Sequence, residues 1–147
     1  MESNSQFRLA GWCGYISAGA TIFGFVTFVI FFVVGDPFGI INDIASVIIA
    51  LSSIPILLAL YEHFRGDNFA WSMTALVIGV VSLLVAAVTQ TMLVLKIIKY
   101  EQTVPATIGF GMFGISLMIF GFLSYRSNLF HVESQLGKSL LGWDIFL

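Results

Sequence analysis

The sequence predicts an all-α integral membrane protein, folded as an antiparallel four-helix transmembrane bundle. Hydrophobic residues make up 59% of the 147 positions and charged residues 10%, against roughly half and a quarter in a soluble domain. Mean hydropathy is +1.01. Four apolar runs reach the length of about 20 residues needed to cross roughly 30 Å of hydrocarbon, and short segments rich in Gly, Pro and charge separate them. Four such runs fill most of the chain, so residues 1–147 read as a single transmembrane domain.

The N-terminal tail, Met1 to Arg8, is short and of mixed charge. The apolar run behind it is too long for a signal h-region and has no small-x-small cleavage site, so it reads as a retained first helix over about 9–34. Gly35-Asp36-Pro37-Phe38-Gly39 then makes a tight turn. The second span covers about 40–61, and the charged stretch Glu62 to Asn68 follows as a loop. The third covers about 69–95, with Trp71 as an interfacial anchor. Lys96, Lys99, Tyr100 and Glu101 form the next connection. The fourth covers about 104–125, with Pro105 in the first turn, where a missing N–H costs little. Residues 126–147 are expected to form an interfacial tail. Its last segment, Leu140 to Leu147, turns apolar again as the start of a truncated fifth helix, too short to span.

Charge excludes several partner classes. Six Lys plus Arg against eight Asp plus Glu leave a net charge of −2. There is no basic stripe for nucleic acid and no polybasic segment for anionic lipid. Arg8, Arg65, Arg126 and Lys138 fall on one side of a four-span topology, and Lys96 and Lys99 on the other. That bias favours both termini inside. The single cysteine, Cys13, cannot form an internal disulfide and reads as a small packing residue.

Small residues recur in every span at a period of three and four. The lines are Cys13, Ser17, Ala20, Gly24 and Thr27 in the first span, and Gly39, Asp43, Ser46, Ala50 and Ser53 in the second. In the third they are Ser72, Ala75, Gly79, Ser82, Ala86 and Thr89, and in the fourth Thr107, Gly111, Gly114, Met118 and Gly121. A shorter line, Gly11, Gly14, Ala18 and Thr21, lies on a neighbouring face of the first span. Lipid tails are as apolar as leucine, so close backbone approach and interhelical hydrogen bonds must hold such helices together, and small residues permit both. A 3.5-residue period keeps a seam facing its partner. The expectation is a closed bundle with these seams inward and Leu, Ile, Val and Phe toward lipid.

Polar groups inside the spans are the candidates for chemistry, because each is costly there. Asp43, with Asn42 beside it and Ser46 on the same line, lies near the start of the second span. It either sits at depth and could carry a proton, or sits at the headgroups and caps the helix. Gln90, between Thr89 and Thr91, either makes an interhelical hydrogen bond or contacts a ligand. Antiparallel helices place Asp43 and Gln90 toward the same membrane face, so one cluster of Asn42, Asp43, Ser46 and Gln90 is expected. Pro55 removes one backbone hydrogen bond and clashes with the carbonyl of Leu51, so a kink is expected there, either static or as a hinge. Ser52 and Ser53 could satisfy the freed groups. Phe23, Phe25, Phe28, Phe31 and Phe32 read as lipid-facing bulk, or as a surface that wraps a quinone, a carotenoid or a partner helix. His63 and His131 both fall outside the spans, so the sequence offers no bis-histidine cofactor site, no metal set and no cofactor. It also has no phosphate loop and no Ser–His–Asp set.

Gly35-Asp36-Pro37-Phe38, Asn42-Asp43, Ile54-Pro55 with Leu58 and Tyr61, and Leu141-Gly142-Trp143 together resemble a family of prokaryotic multi-pass proteins, the domain of unknown function 4386. The resemblance covers most of the chain. It implies a helical fold in a prokaryotic cytoplasmic membrane, with more spans than the four read here, so this is either a shortened form or part of a longer chain. It implies no activity. The functional expectation is a non-catalytic accessory or scaffold subunit, partnered by lipid and by other transmembrane subunits or copies of itself. The rival is a small transporter or lipophilic-ligand-binding protein using Asp43, Gln90 and the Pro55 kink.

Overall fold

The computed structural model describes residues 2–66 and 68–141, with side chains over 5–66 and 68–127. Four helices follow one another: α1 (Glu2–Val34), α2 (Phe38–Phe64), α3 (Phe69–Val94) and α4 (Val104–Leu141), with one 3-10 turn at Tyr100–Gln102 between α3 and α4. All four are long and apolar enough to cross a membrane, the fourth over Val104–Ser127. The protein is an all-α integral membrane protein with the architecture of an antiparallel four-helix bundle.

Several boundaries differ from the sequence reading for local reasons. α2 runs to Phe64, so Glu62 and His63 occupy its last turn rather than a loop. Arg65 closes that end by pairing with Glu62 at 3.1 Å and by donating its backbone N–H to Tyr61 O at 2.8 Å. α4 continues to Leu141. Residues 126–141 contain no proline and a single glycine, Gly137, so nothing in that stretch breaks the helix. Leu140 and Leu141, expected to open a truncated fifth helix, belong to α4, and the rest of that segment, Gly142 to Leu147, lies outside the described residues.

The connections are short and specific. Gly35 ends α1 with φ at 80°, the left-handed conformation that glycine adopts without cost. Its N–H bonds Phe31 O at 2.8 Å. α3 ends with the N–H of Lys96 on Leu93 O and that of Ile97 on Met92 O, both at 2.9 Å. That is a Schellman ending, with lysine at φ 58° where glycine is usual. A left-handed lysine costs about 1 kcal/mol.

α1 packs on α2, α2 on α3 and α3 on α4, while α2 and α4 meet only slightly. α1 makes extensive contact with α2 alone. The bundle is therefore open between α1 and α4, not closed as the four seams suggested. In its most apolar stretch α1 is 11% buried, against 44% for α3, the best-covered helix.

Three of the four seams face their partners. In α3, Ser72, Ala75, Gly79, Ser82, Ala86 and Thr89 are all buried. Beside them Leu83 is fully buried, and Leu84 is 46% exposed. In α2, Ala50 and Ser53 are buried, and in α1 Gly24 and Thr27 are. The second α1 line turns outward, with Gly11, Ala18 and Thr21 exposed. The α4 seam is corrected by one register. Gly111 and Gly121 are exposed, Met118 is 74% exposed, and a Cβ at Gly111 or Gly114 would meet nothing within 4 Å. The face turned to α3 carries Ala106, Gly109, Ser116, Phe120 and Leu123. Both registers hold small residues at the same spacing. Gly109 decides between them, because a Cβ there would lie 2.7 Å from Ser82 O and 3.3 Å from Ala86 N.

Most seam hydroxyls do not bridge helices. Those of Ser52, Ser53, Ser72, Ser82 and Thr89 donate to carbonyls one turn back on their own helix, which satisfies them and leaves the backbones free to approach. Two contacts cross. Ser116 Oγ donates to Ala75 O at 2.7 Å in a buried site, and the hydroxyls of Ser17 and Ser53 lie 3.4 Å apart. Ser52 and Ser53 bond the carbonyls of Ile48 and Ile49. Neither bonds the carbonyl of Leu51, the one freed by Pro55, contrary to the sequence expectation. α2 passes through Pro55 as one helix.

Candidate functional site

At the membrane face opposite the N-terminus the four helices surround a cavity of about 410 Å³. It occupies the side of the bundle where α1 and α4 fail to meet. α1 supplies Phe28 and Phe31, the first turn Asp36, α2 Asn42 and Asp43, and α3 Gln90. The α3–α4 connection supplies Lys96, Tyr100 and Thr103, and α4 supplies Thr107. Thr103 Oγ1 bonds Tyr100 O at 2.7 Å and fastens that connection.

Two glycines shape the α2 wall. A Cβ on Gly39 would lie 3.0 Å from the Phe31 ring and 3.2 Å from Asp36 Oδ1. Glycine there lets the ring and the carboxylate fold back over the start of α2. A Cβ on Gly24 would lie 3.3 Å from Ala45 Cβ and 3.5 Å from Asn42 Oδ1, so Gly24 seats α1 closely beside the Asn42 amide.

Asp43 does not cap its helix. α2 begins at Phe38 after Pro37, and Asp43 lies in the second turn, half-buried, on the cavity wall. Among the described residues neither Asp36 nor Asp43 is ion-paired, and Lys96 lies beyond ion-pair distance of both. Gln90 Oε1 is buried and accepts no hydrogen bond from the protein. The structure thus brings Asn42, Asp43 and Gln90 to one space without a direct bond between Asp43 and Gln90. Ser46 does not join them: its hydroxyl donates to Asn42 O at 3.0 Å on its own helix, and it does not line the cavity.

Pro55 lies elsewhere, beside a cavity of about 310 Å³ with Gln6, Leu58, Tyr61 and Glu62. Twelve residues separate it from Asp43, about 18 Å along the helix. Asp43, Gln90 and Pro55 therefore do not form one site. A groove of about 490 Å³ on the outside of α3 and α4, lined by Val77, Val81, Val85, Ile108 and Met112, holds no charge. Phe23, Phe25, Phe28 and Phe32 are exposed on α1 as expected of lipid-facing bulk, whereas Phe31 is half-buried. The His63 ring rests edge-on against Phe64 at 4.7 Å, and the His131 side chain lies outside the described residues. Among the described residues no three His, Cys, Asp or Glu side chains converge as metal ligands.

Sequence reading missed Asp36, Lys96, Tyr100 and Thr103 as wall residues. The signal was available in the topology: the α1–α2 and α3–α4 connections share one membrane face, so their polar residues gather there. No protein family, curated protein or solved structure matches the chain.

Proposed function

We propose that this is a non-catalytic membrane protein that binds a small polar ligand in the cavity at the face opposite its N-terminus. One observation carries the reading. Asp36, Asp43 and Gln90 line one cavity, and among the described residues neither carboxylate is ion-paired. A polar cavity at one membrane face, with two unpaired carboxylates on its wall, suits a small solute that brings complementary groups. The Lys and Arg bias supports a cytoplasmic N-terminus, and on that topology the cavity opens outward.

The test is a stability screen of the purified protein in lipid nanodiscs against small solutes of each charge class. Solutes of one class are expected to raise the melting temperature in wild type and not in the doubly substituted Asp43→Asn, Gln90→Leu protein. A flat response to every class overturns the reading.

An accessory-subunit role is the second reading. α1 supports it, because it contacts only α2 extensively and turns Trp12, Tyr15, Phe25 and Phe32 outward. Stable co-purification from native membrane with a larger assembly would favour it.

A further inference from the structure

We infer that the N-terminal half of α1 is a gate that closes on α4, seating Gly14 against Gly121 and Thr21 against Gly114. The inference concerns the gap between the two helices and stands apart from what the cavity binds. One end of the gap is fixed by the cavity, where Phe28 of α1 and Thr107 of α4 line the same space. Thr21 and Gly14 lie one and two heptads before Phe28, and Gly114 and Gly121 lie one and two heptads after Thr107. Seven residues advance a helix by about 10 Å and return nearly to the same face. The helices run antiparallel, so stepping away from the cavity brings Thr21 level with Gly114, and then Gly14 level with Gly121. Both lines are vacant in the open bundle. Thr21 is exposed, and a Cβ at Gly14, Gly114 or Gly121 would meet nothing within 4 Å. Small residues at this period are what two membrane helices need for close approach. The line on α4 is the one that does not face α3, so α4 keeps its packing on α3 through Gly109 while it receives α1.

α1 is the helix free to move. It makes extensive contact with α2 alone. Gly24, between Thr21 and Phe28, seats α1 on Ala45, where a Cβ would come within 3.3 Å, and this close approach is the pivot. On the N-terminal side of the pivot the Ser17 and Ser53 hydroxyls lie 3.4 Å apart, a long contact that a small rotation breaks. On the other side the short turn at Gly35 ties α1 to α2, with the Gly35 N–H on Phe31 O at 2.8 Å. The cavity end therefore stays in place while the N-terminal half swings. Closure seals the gap from lipid and leaves the cavity open at its own membrane face.

Disulfide trapping in native membranes tests the gate. In a Cys13→Ser background, Gly14→Cys is paired with Gly121→Cys, and Thr21→Cys with Gly114→Cys. The staggered pairs, Gly14→Cys with Gly114→Cys and Thr21→Cys with Gly121→Cys, are offset by about 10 Å, beyond the Cα separation of about 7 Å that a disulfide bridges. After oxidation with copper phenanthroline, trypsin cleavage at Arg65 and Lys99 separates α1 from α4, so a link appears as joined peptides in the mass spectrum. Both level pairs are expected to link within one chain, several-fold more than the staggered pairs. Adding Gly121→Phe, which the open bundle accommodates, should suppress the link between Thr21→Cys and Gly114→Cys while leaving helicity and SDS resistance unchanged. That variant keeps the test decisive if one cysteine pair fails to fold. No link in either level pair overturns the gate, as does equal linking of the staggered pairs. Links found only in protein of dimer mass overturn it as well, and give the vacant lines to a second copy. The melting-temperature screen for solutes is a separate readout, so failure of the gate leaves the ligand reading standing.

Discussion

Gly109→Leu is expected to force α3 and α4 apart and abolish the folded bundle. Even Gly109→Ala should destabilise by about 1–3 kcal/mol, the usual range for overpacking a close contact. The reason is what the new Cβ would meet: Ser82 O at 2.7 Å, Ala86 Cβ at 3.2 Å and Ala86 N at 3.3 Å. Two of these atoms belong to the backbone and cannot rotate away. Only a shift of the whole helix relieves the clash, and that shift would stretch the bond from Ser116 Oγ to Ala75 O on the same helix pair. Gly111→Ala and Gly114→Ala are the matched comparisons, since a Cβ at either meets nothing within 4 Å. Both should be neutral or stabilise by up to about 1 kcal/mol through helix propensity. Unfolding in mixed micelles by increasing SDS, followed by helicity, distinguishes the sites. Equal sensitivity at Gly109 and Gly111 would show that α4 packs in the other register.

Phe120→Ala should cost about 2 kcal/mol in the same assay. Phe120 is buried against α2 and α3, with its ring 6.2 Å from that of Phe64. In water such a truncation loses both transfer free energy and packing. Within a bilayer the transfer part nearly vanishes, because the separated helix also sits in an apolar medium. What remains is the void, roughly 100 Å³ at about 24 cal/mol per Å³. Phe122 is two residues away and 62% exposed. Its truncation should cost far less, since lipid fills the space. The contrast between the two separates helix packing from mere hydrophobicity.

The fold was legible in the sequence because lipid imposes a coarse requirement: long apolar runs whose backbones satisfy themselves. Gly35 and Pro37 placed the first turn correctly. The α3 seam was legible for a related reason. Its six small residues form one register, from Ser72 to Thr89, and all are buried. In α4 two registers compete, Thr107–Gly111–Gly114 and Ala106–Gly109–Ser116. Composition cannot choose between them, because the choice depends on the rotation of α4 against Ser82 and Ala86. Closure of the bundle was not legible either. A small-residue line shows that a helix has a partner face but not how many partners share it, and α1 uses its line on α2 alone. At the site, Asp43 and Gln90 were found because intramembrane polar groups are rare. Asp36, Lys96 and Tyr100 look like ordinary loop residues until the topology gathers them around one cavity. Ser46 and Pro55 were grouped with the site by seam and by helix, but hydroxyl back-bonding removes the first and about 18 Å of helix the second.

The central claim is that Asn42, Asp43 and Gln90 face water within the membrane protein, and cysteine accessibility in intact membranes measures it most directly. With Cys13 replaced by serine, single cysteines are placed at Asn42, Gln90, Ser82 and Met118. A membrane-impermeant maleimide reacts only with thiols that ionise in contact with water. Asn42→Cys and Gln90→Cys should be labelled from the face opposite the N-terminus and not from the N-terminal face. Ser82→Cys, buried between α3 and α4, and Met118→Cys, exposed on the outer surface of α4, should resist from both. Protection of Asn42→Cys and Gln90→Cys from both faces, or labelling of Met118→Cys at the same rate, would contradict a water-filled polar site at that end of the bundle.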